Sequence, residues 1–336
     1  MELSTIPKSI YKESDRLWPL EEGEQPDTYD TESWSFYIVA KLTQCRKPVH
    51  PLGATIDLIS NDKVMKSFTA DRKYLAQFTV PEENVAAPPH TVYLLIWNHF
   101  VEPTALDIDR LRYALSVQDA QGTRSENTLE IPVRRYVQKA KLIFPVAGKC
   151  IVVVGHAYNE HHRLDQSQFA YDIFPLGPHG ELIRADGSSN EEWWGYGAAV
   201  LAPADGTVVY VRDDIPDNER PGLLPDDAFY KTILDAFNAT AGNHMIIDHG
   251  QGEYSLLAHL KPGSVAVAKG QHVTQGQSIG RVGNSGKSGA PHLHYALRNN
   301  PEFHCDGLPS RFENLQLLGL KGQVTSPKRG LFLIAQ

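Results

Sequence analysis

The chain has 336 residues, of which 41% are hydrophobic and 21% charged, enough for two globular domains with sizeable cores. The formal net charge of -8 argues against nucleic acid or an anionic membrane as a partner, because both are bound by basic surfaces. Only Cys45, Cys150 and Cys305 are present. They are too few for a disulfide framework and too far apart for a CxxC zinc site, so we expect buried thiols.

Charged residues interrupt the beginning of the chain, where Lys8, Lys12 and Glu13 exclude the apolar core of a signal peptide. No apolar run anywhere approaches the length of a membrane span. The sequence as given therefore predicts no membrane span and no classical export signal. A chain trimmed of its signal would look the same, so the location stays open between the cytoplasm and the outside.

The region up to about residue 138 is predicted to be one β domain. Short alternating or apolar runs broken by turn residues indicate strands, and no convincing helix lies between them. Seven strands in about a hundred residues favour an immunoglobulin-like β-sandwich. The predicted strands are Ser35–Leu42, Ala54–Ile59, Val64–Phe68, Tyr74–Val80, Thr91–Trp97, Arg112–Val117 and Thr128–Val133.

A polar linker at Tyr136–Lys141 leads into a second β-rich domain, predicted over residues 139–336. An insertion rich in Asp and Pro, residues 213–240, interrupts it, with a weak helical period over Asp226–Phe237. The tail from Pro309 to Gln336 is expected to pack on this domain. The predicted strands are Cys150–Val154, Gly206–Val211, His244–Asp248, Tyr254–Ala258, Ser278–Val282 and His292–Leu297.

Two histidines of the last predicted strand form an HxH pair. Residues i and i+2 of a strand point to the same face, so His292 and His294 project together while Leu293 faces the core. Pro291 suits a strand start, where its missing N–H costs least. Two imidazoles on one rigid element suit a metal site, although an HxH pair alone is weak evidence.

Further candidates flank this pair in the sequence. His259 ends an apolar strand just before a Lys-Pro-Gly turn, where functional groups are common. Asp172 interrupts an apolar and aromatic run, so its charge must be exposed, paired or bound to a metal. A catalytic zinc site uses three protein ligands plus water, and two His with one Asp fit that number. The upstream histidines that could join Asp172 are His156, His161 and His162.

Several motifs in order resemble the lysostaphin-like (LytM-type) zinc endopeptidases over about residues 142 to 300. The resemblance is specific because the order, spacing and residue types agree, and nothing comparable covers the N-terminal domain. The motifs are Ala202-Pro203-Ala204-Asp205-Gly206-Thr207-Val208, Gly242-Asn243-His244-Met245-Ile246-Ile247-Asp248-His249-Gly250, Leu257-Ala258-His259-Leu260, Val273-Thr274-Gln275-Gly276-Gln277-Ser278-Ile279-Gly280, Gly283-Asn284-Ser285-Gly286 and Pro291-His292-Leu293-His294.

The resemblance implies a mainly β fold, with a catalytic domain like a barrel-sandwich hybrid, and one Zn²⁺ per chain. It implies peptide-bond hydrolysis, with peptidoglycan as the expected substrate and an extracytoplasmic setting. The implied zinc ligands are His162, Asp172 and His294. His259 and His292 are the implied catalytic histidines; we assign His292 the role of base and His259 that of oxyanion stabiliser, and the two can share both roles.

The chain departs from the family pattern at two positions. His162 and Asp172 lie ten positions apart, as in a long-loop variant, so His161 stays a close alternative to His162 and His156 a more distant one. Ala296 stands where many members have a Glu that is not a ligand. Neither departure removes a ligand or a catalytic histidine.

Two other functions compete with the peptidase. An inactive domain of the same family would bind or activate a partner, but such domains usually lack ligands, and here a full set is present. A cupin-like oxygenase would want a Glu a few residues beyond HxH, whereas Glu302 follows His294 by eight positions. The role of the N-terminal domain and the bond cleaved stay open.

Overall fold

A computed structural model describes residues 1–14, 30–80, 91–155, 167–224, 240–302, 305–319 and 323–336. The chain divides into two compact units. The first comprises the described residues up to Tyr136, and the second runs from Val137 to Gln336. The predicted boundary lies two residues further along, after residue 138. None of the described helices is long and apolar enough to cross a membrane.

The first unit consists of two sheets around one hydrophobic core. One sheet has the order β1-β4-β3 with β7 on β4, and the other has the order β2-β9-β8-β5-β6. Its elements are β1 (Glu2–Ile6), β2 (Ile10–Tyr11), β3 (Glu13–Ser14), β4 (Thr31–Thr43), β5 (His50–Ser60), β6 (Lys63–Asp71), α1 (Arg72–Phe78), β7 (Thr91–Pro103), β8 (Arg110–Gln118) and β9 (Arg124–Arg134), with a 3₁₀ turn at Thr104–Leu106.

Alternation along the strands builds this core, as the sequence predicted. On β8, for example, Leu111, Tyr113 and Leu115 are buried, while Arg112 between the first two is exposed. The buried side chains of both sheets belong to one apolar cluster, which removes a large hydrophobic area from water. The mainly β prediction is confirmed, whereas the immunoglobulin-like arrangement stays a prediction.

One strand prediction is wrong. Tyr74–Val80 was expected to be a strand, but residues Arg72–Phe78 form α1. Asp71 caps the helix, because its side chain accepts a hydrogen bond from the backbone N–H of Tyr74. The rings of Tyr74 and Phe78 meet one helical turn apart, with centroids at 5.0 Å. The cap and this pair outweigh the β propensity of the aromatic residues.

The second unit is built on one large sheet with the order β16-β13-β14-β15-β18-β11-β10-β22-β20-β21 and β19 on β18. β12 and β17 pair separately. Its strands are β10 (Gly148–Val154), β11 (Tyr171–Pro175), β12 (Ala199–Leu201), β13 (Gly206–Arg212), β14 (Asn243–Asp248), β15 (Tyr254–Leu260), β16 (His272–Val273), β17 (Ser278–Arg281), β18 (Leu293–Arg298), β19 (Gly307–Leu308), β20 (Leu315–Leu317), β21 (Gln323–Val324) and β22 (Phe332–Ala335), with a 3₁₀ turn at Asn190–Glu192.

The six strands predicted for this unit all exist. The C-terminal tail joins the main sheet, where β22 pairs with β10 and β20, so the prediction that it packs on this unit is confirmed. The helical period over Asp226–Phe237 lies outside the described residues. None of the three cysteines forms a disulfide; Cys150 and Cys305 are buried and Cys45 is partly buried.

The predicted linker is held against the second unit at its C-terminal half. The buried side chain of Glu253 accepts a hydrogen bond from the backbone N–H of Lys139 at one oxygen and from that of Ala140 at the other, both at 2.7 Å. Hydrogen bonds from backbone amides to a carboxylate are short and strong. Residues 139 and 140 are therefore an ordered part of this unit.

Candidate active site

The centre of the site is a cross-strand pair between β11 and β18. Antiparallel pairing places Asp172 directly opposite His294, so both side chains leave the same face of the sheet. Asp172 Oδ1 lies 3.0 Å from His294 Nδ1. The sequence reasoning placed both residues in the site but did not recognise β11, whose alternating burial explains how Asp172 can interrupt an apolar run.

His292 and His259 complete a cluster around this pair. His292 precedes β18 by one residue, and its Nε2 lies 3.4 Å from Asp172 Oδ1. The ring of His259 lies 4.8 Å from that of His292 and 5.8 Å from that of His294, measured between centroids. The structure therefore brings together four of the five residues predicted for the site. The fifth, His162, lies outside the described residues, as do His156 and His161.

His259 is held in an unusual backbone conformation at the end of β15. Its φ of 63° is in the left-handed region, which is uncommon for a residue other than glycine. Its Nδ1–H donates a hydrogen bond of 2.8 Å to the Ser285 carbonyl, which leaves Nε2 on the side of the cluster. Burial, together with the neighbouring His292 and His294, lowers the pKa of His259 well below its usual range.

His292 is fixed in a similar way. Its Nδ1–H donates a hydrogen bond of 2.8 Å to the Ala290 carbonyl, and its ring stacks on Phe174 with centroids 5.0 Å apart. Burial lowers the pKa of His292, but the attraction and hydrogen bond of Asp172 raise it more, so the net shift is upward. Both histidines therefore use Nδ1 for the backbone and direct Nε2 elsewhere.

Residues 283–290, here called the glycine-rich loop, supply both carbonyls. Gly286 of the loop approaches Gly242, which stands two residues after the insertion. Both glycines have positive φ, at 74° and 64°. A Cβ on Gly286 would stand 2.4 Å from the Gly242 nitrogen, so only glycine permits this approach.

The sequence reasoning missed several buried polar side chains around this loop. Buried polar groups are normally hydrogen-bonded, and these bind backbone atoms of the loop or each other. Asn284 and Ser288 lie in the glycine-rich stretch of the sequence, whereas Asn190 and Asn218 stand in stretches without a recognisable pattern. They are Asn190, Asn218, Asn284 and Ser288.

The described residues supply only some of the ligands that a zinc site needs. No group of three or more His, Cys, Asp or Glu side chains within the described ranges is arranged to hold a metal ion. Asp172 Oδ1 and His294 Nδ1 do supply two donors of the types that zinc binds. Their separation of 3.0 Å is near the roughly 3.3 Å expected between two ligands of one tetrahedral zinc ion. The donor types and spacing thus fit zinc, with one ligand still to be supplied.

Comparison with known proteins places part of the chain in a family. Residues 194–304, which include His259, His292 and His294, match the sequence model of Peptidase family M23. An uncharacterized metalloprotease of Haemophilus influenzae is 32% identical over 139 residues, 41% of this chain and 22% of that protein. Peptidoglycan DD-endopeptidase ShyA of Vibrio cholerae is 46% identical over 57 residues, 17% of this chain and 13% of that protein. The matches thus span less than a quarter of either relative.

Among solved structures, the chain is similar to the catalytic domain of a prophage-encoded M23 protein from Enterococcus faecalis. The identity is 17%, the coverage 48% of this chain and 88% of that one, and the TM-score 0.30. The match of residues 194–304 agrees with the resemblance found in the motifs. The chain therefore contains a Peptidase family M23 (LytM-type) domain at residues 194–304.

Proposed function

We propose that this chain is a zinc-dependent endopeptidase that hydrolyses peptide bonds in peptidoglycan. The observation that carries the proposal is the convergence of His259 and His292, which are buried, with His294 and Asp172, which are partly buried, in one cluster. Asp172, His259 and His294 lie on the three strands β11, β15 and β18, and His292 stands just before β18; the three histidines all lie within the M23 match. Perturbed and buried titratable groups gathered in this way are typical of catalytic sites.

Asp172, His294 and one upstream histidine would hold the zinc ion. His162 is our first choice for the third ligand, with His161 and then His156 as alternatives. When bound by three protein ligands, zinc lowers the pKa of a water molecule towards about 7 and polarises a carbonyl as a Lewis acid. The hydrogen bonds to Ser285 and Ala290 engage only His259 and His292, so they leave the proposed ligands undisturbed.

The two other histidines would move the proton. His292 directs Nε2 at Asp172, and its Nδ1–H is engaged by the Ala290 carbonyl, so the neutral ring can accept a proton only at Nε2. We therefore assign His292 the role of general base. His259 has the same protonation pattern, with Nδ1–H on Ser285. Its neutral ring has an acceptor at Nε2 and is favoured by the lowered pKa, so His259 would donate to the oxyanion only with the proton that the attacking water releases.

Peptidoglycan is proposed as the substrate because a relative with 46% identity over its matched segment is named a peptidoglycan DD-endopeptidase. The same reasoning favours an extracytoplasmic setting. The first unit, for which we keep the proposal of an immunoglobulin-like domain, has no assigned role in the reaction. An inactive binding module is the alternative function.

Digestion of purified peptidoglycan followed by mass spectrometry of the products tests the proposal. We expect the wild-type protein to hold one zinc ion and to release peptide fragments, and His294→Ala to lose both properties. His272→Ala is the matched control, because His272 is an exposed histidine on β16 of the same unit. A wild-type protein that binds no zinc and releases no fragments would favour the inactive module.

A further inference from the structure

A set of buried asparagines connects the beginning of the insertion, at Asn218, to the glycine-rich loop. The side-chain amide of Asn218 donates two hydrogen bonds to loop carbonyls, to Gly286 at 3.1 Å and to Ser288 at 2.8 Å. The backbone N–H of Asn218 donates a third to the Asn284 carbonyl at 3.0 Å. Asn218 is 7% exposed, so water does not compete for these bonds.

The backbone carbonyl of Asn218 is bound by a second buried asparagine. Asn190 donates from its side-chain amide to the Asn218 carbonyl at 2.8 Å. The oxygen of the Asn190 side chain accepts a hydrogen bond of 2.9 Å from the amide of Asn284, which is itself fully buried. Asn190, Asn218 and Asn284 thus form a closed ring of contacts, and we call these three residues the asparagine ring. Removing any member leaves buried partners without their bonds.

The loop atoms held by the asparagine ring lie next to those that bind the catalytic histidines. Ser285, whose carbonyl accepts the Nδ1–H of His259, stands between Asn284 and Gly286. Ser288, whose carbonyl is bound by Asn218, donates its hydroxyl to the Ala290 carbonyl at 2.9 Å, and that carbonyl accepts the Nδ1–H of His292. Asn218 therefore binds Gly286, which is next to the residue that holds His259. It also binds Ser288, whose hydroxyl contacts the same carbonyl as His292.

We infer that Asn218 is a positioning residue, which holds the glycine-rich loop so that the Ser285 and Ala290 carbonyls keep His259 and His292 with Nε2 directed away from the loop. The inference deepens the proposed function and rests on it for the catalytic consequence. An imidazole that can rotate or change tautomer spends less time in the reactive arrangement, so the loss falls on the rate of the chemical step rather than on substrate binding.

The experiment compares Asn218→Ala with Asn314→Ala. Asn314 is a matched control, because it also binds backbone atoms in the second unit, accepting from the Phe144 N–H and donating to the Gln336 carbonyl. Each variant is assayed for kcat and KM on a soluble peptidoglycan peptide and for zinc content. Nitrogen-15 NMR of the metal-free protein reports which nitrogen of His259 carries the proton.

For Asn218→Ala we expect kcat to fall about 10- to 100-fold, with KM and zinc content within about twofold of the wild type. The His259 signal should change from a single Nδ1–H form to a mixture of tautomers. Asn314→Ala should lower the thermal midpoint without changing kcat or the His259 signal. The inference is overturned if Asn218→Ala leaves kcat and the signal unchanged, or if Asn314→Ala changes them equally.

Two further outcomes are covered by the same design. If Asn218→Ala does not fold, Asn190→Ala releases the rear anchor while keeping the Asn218 amide, and we expect a fall in kcat of about three- to tenfold with the same NMR change. An unchanged Asn190→Ala protein would then overturn the inference. If the wild type has no zinc and no activity, the proposed function fails, and the NMR comparison alone still decides whether Asn218 positions His259.

Discussion

The two units of the chain both bury polar side chains, but they differ in which groups these are and where they gather. The first unit has one apolar cluster that includes Phe36, Leu58 and Leu111, and it also buries charged groups that pair with each other, as Lys12 does with Glu32 at 3.4 Å. The second unit also has an apolar core, but it buries asparagines, serines and histidines around the glycine-rich loop. Polar groups cost free energy to bury unless they are hydrogen-bonded, so their concentration at one place needs a reason other than stability. In the second unit, the buried asparagines, serines and histidines gather around the candidate active site.

Metal removal should give the largest difference between the two units in stability. With a chelator we expect hydrolysis to fall to background, and the unfolding transition of the second unit to lose about 3–4 kcal/mol if zinc was present at 100 to 1,000 times its dissociation constant. The transition of the first unit should not move. Calorimetry with and without chelator measures both. Equal shifts in both transitions would contradict the assignment of zinc to the second unit.

Truncation of a large side chain in the first unit should give the opposite pattern. Phe36 is fully buried and its ring stacks on Phe100, with centroids 6.0 Å apart. We expect Phe36→Ala to reduce the free energy of unfolding by about 3–5 kcal/mol, through lost burial and the cavity left behind. Denaturant titration measures this loss. The kcat of the folded variant should equal that of the wild type, and a lowered kcat would show that the first unit takes part in the reaction.

The smallest expected effect concerns acid stability of the second unit. Burial lowers the pKa of His249, whose Nδ1–H donates to the Asp205 carbonyl and whose Nε2 accepts from the Ser255 hydroxyl. The unfolded chain therefore takes up this proton first as the pH falls below about 6.5, and the folded state loses stability from there downward.

Replacing this group should flatten that dependence. We expect His249→Asn to be less stable than the wild type at pH 7.5. On acidification to pH 5 it should lose less stability than the wild type, by under about 1 kcal/mol. Thermal unfolding across this pH range measures it. An identical pH dependence in both proteins would show that other groups dominate.

The sequence predicted strands well where alternation or apolar runs were complete. β4 to β9 of the first unit each contain a predicted strand, and the exception was α1, where a local cap decided the structure. β11 escaped notice because Asp172 breaks its pattern, although Asp172 was itself chosen as a ligand. Asp172, the residue that breaks the apolar pattern of β11, is also the residue that β11 places opposite His294.

The site could be predicted only as far as its chemistry follows local motifs. His259, His292 and His294 stand in recognisable motifs, and Asp172 was found through its conflict with an apolar run. The register that sets Asp172 opposite His294 depends on two strands more than a hundred residues apart, which local pattern cannot supply. Asn190 and Asn218 act through backbone carbonyls of distant residues, so nothing in their own surroundings announces the role.

The hydrogen bonds from the backbone of residues 139 and 140 to Glu253 determine where a shortened chain containing only the second unit should begin. Those two backbone amides lie ahead of β10, in a stretch that sequence pattern alone would treat as dispensable. A shortened gene that starts at Gly148 would remove both donors and leave a buried carboxylate to be solvated by other means. Recombinant versions of the M23 region should therefore begin no later than Val137, although the family match begins at residue 194.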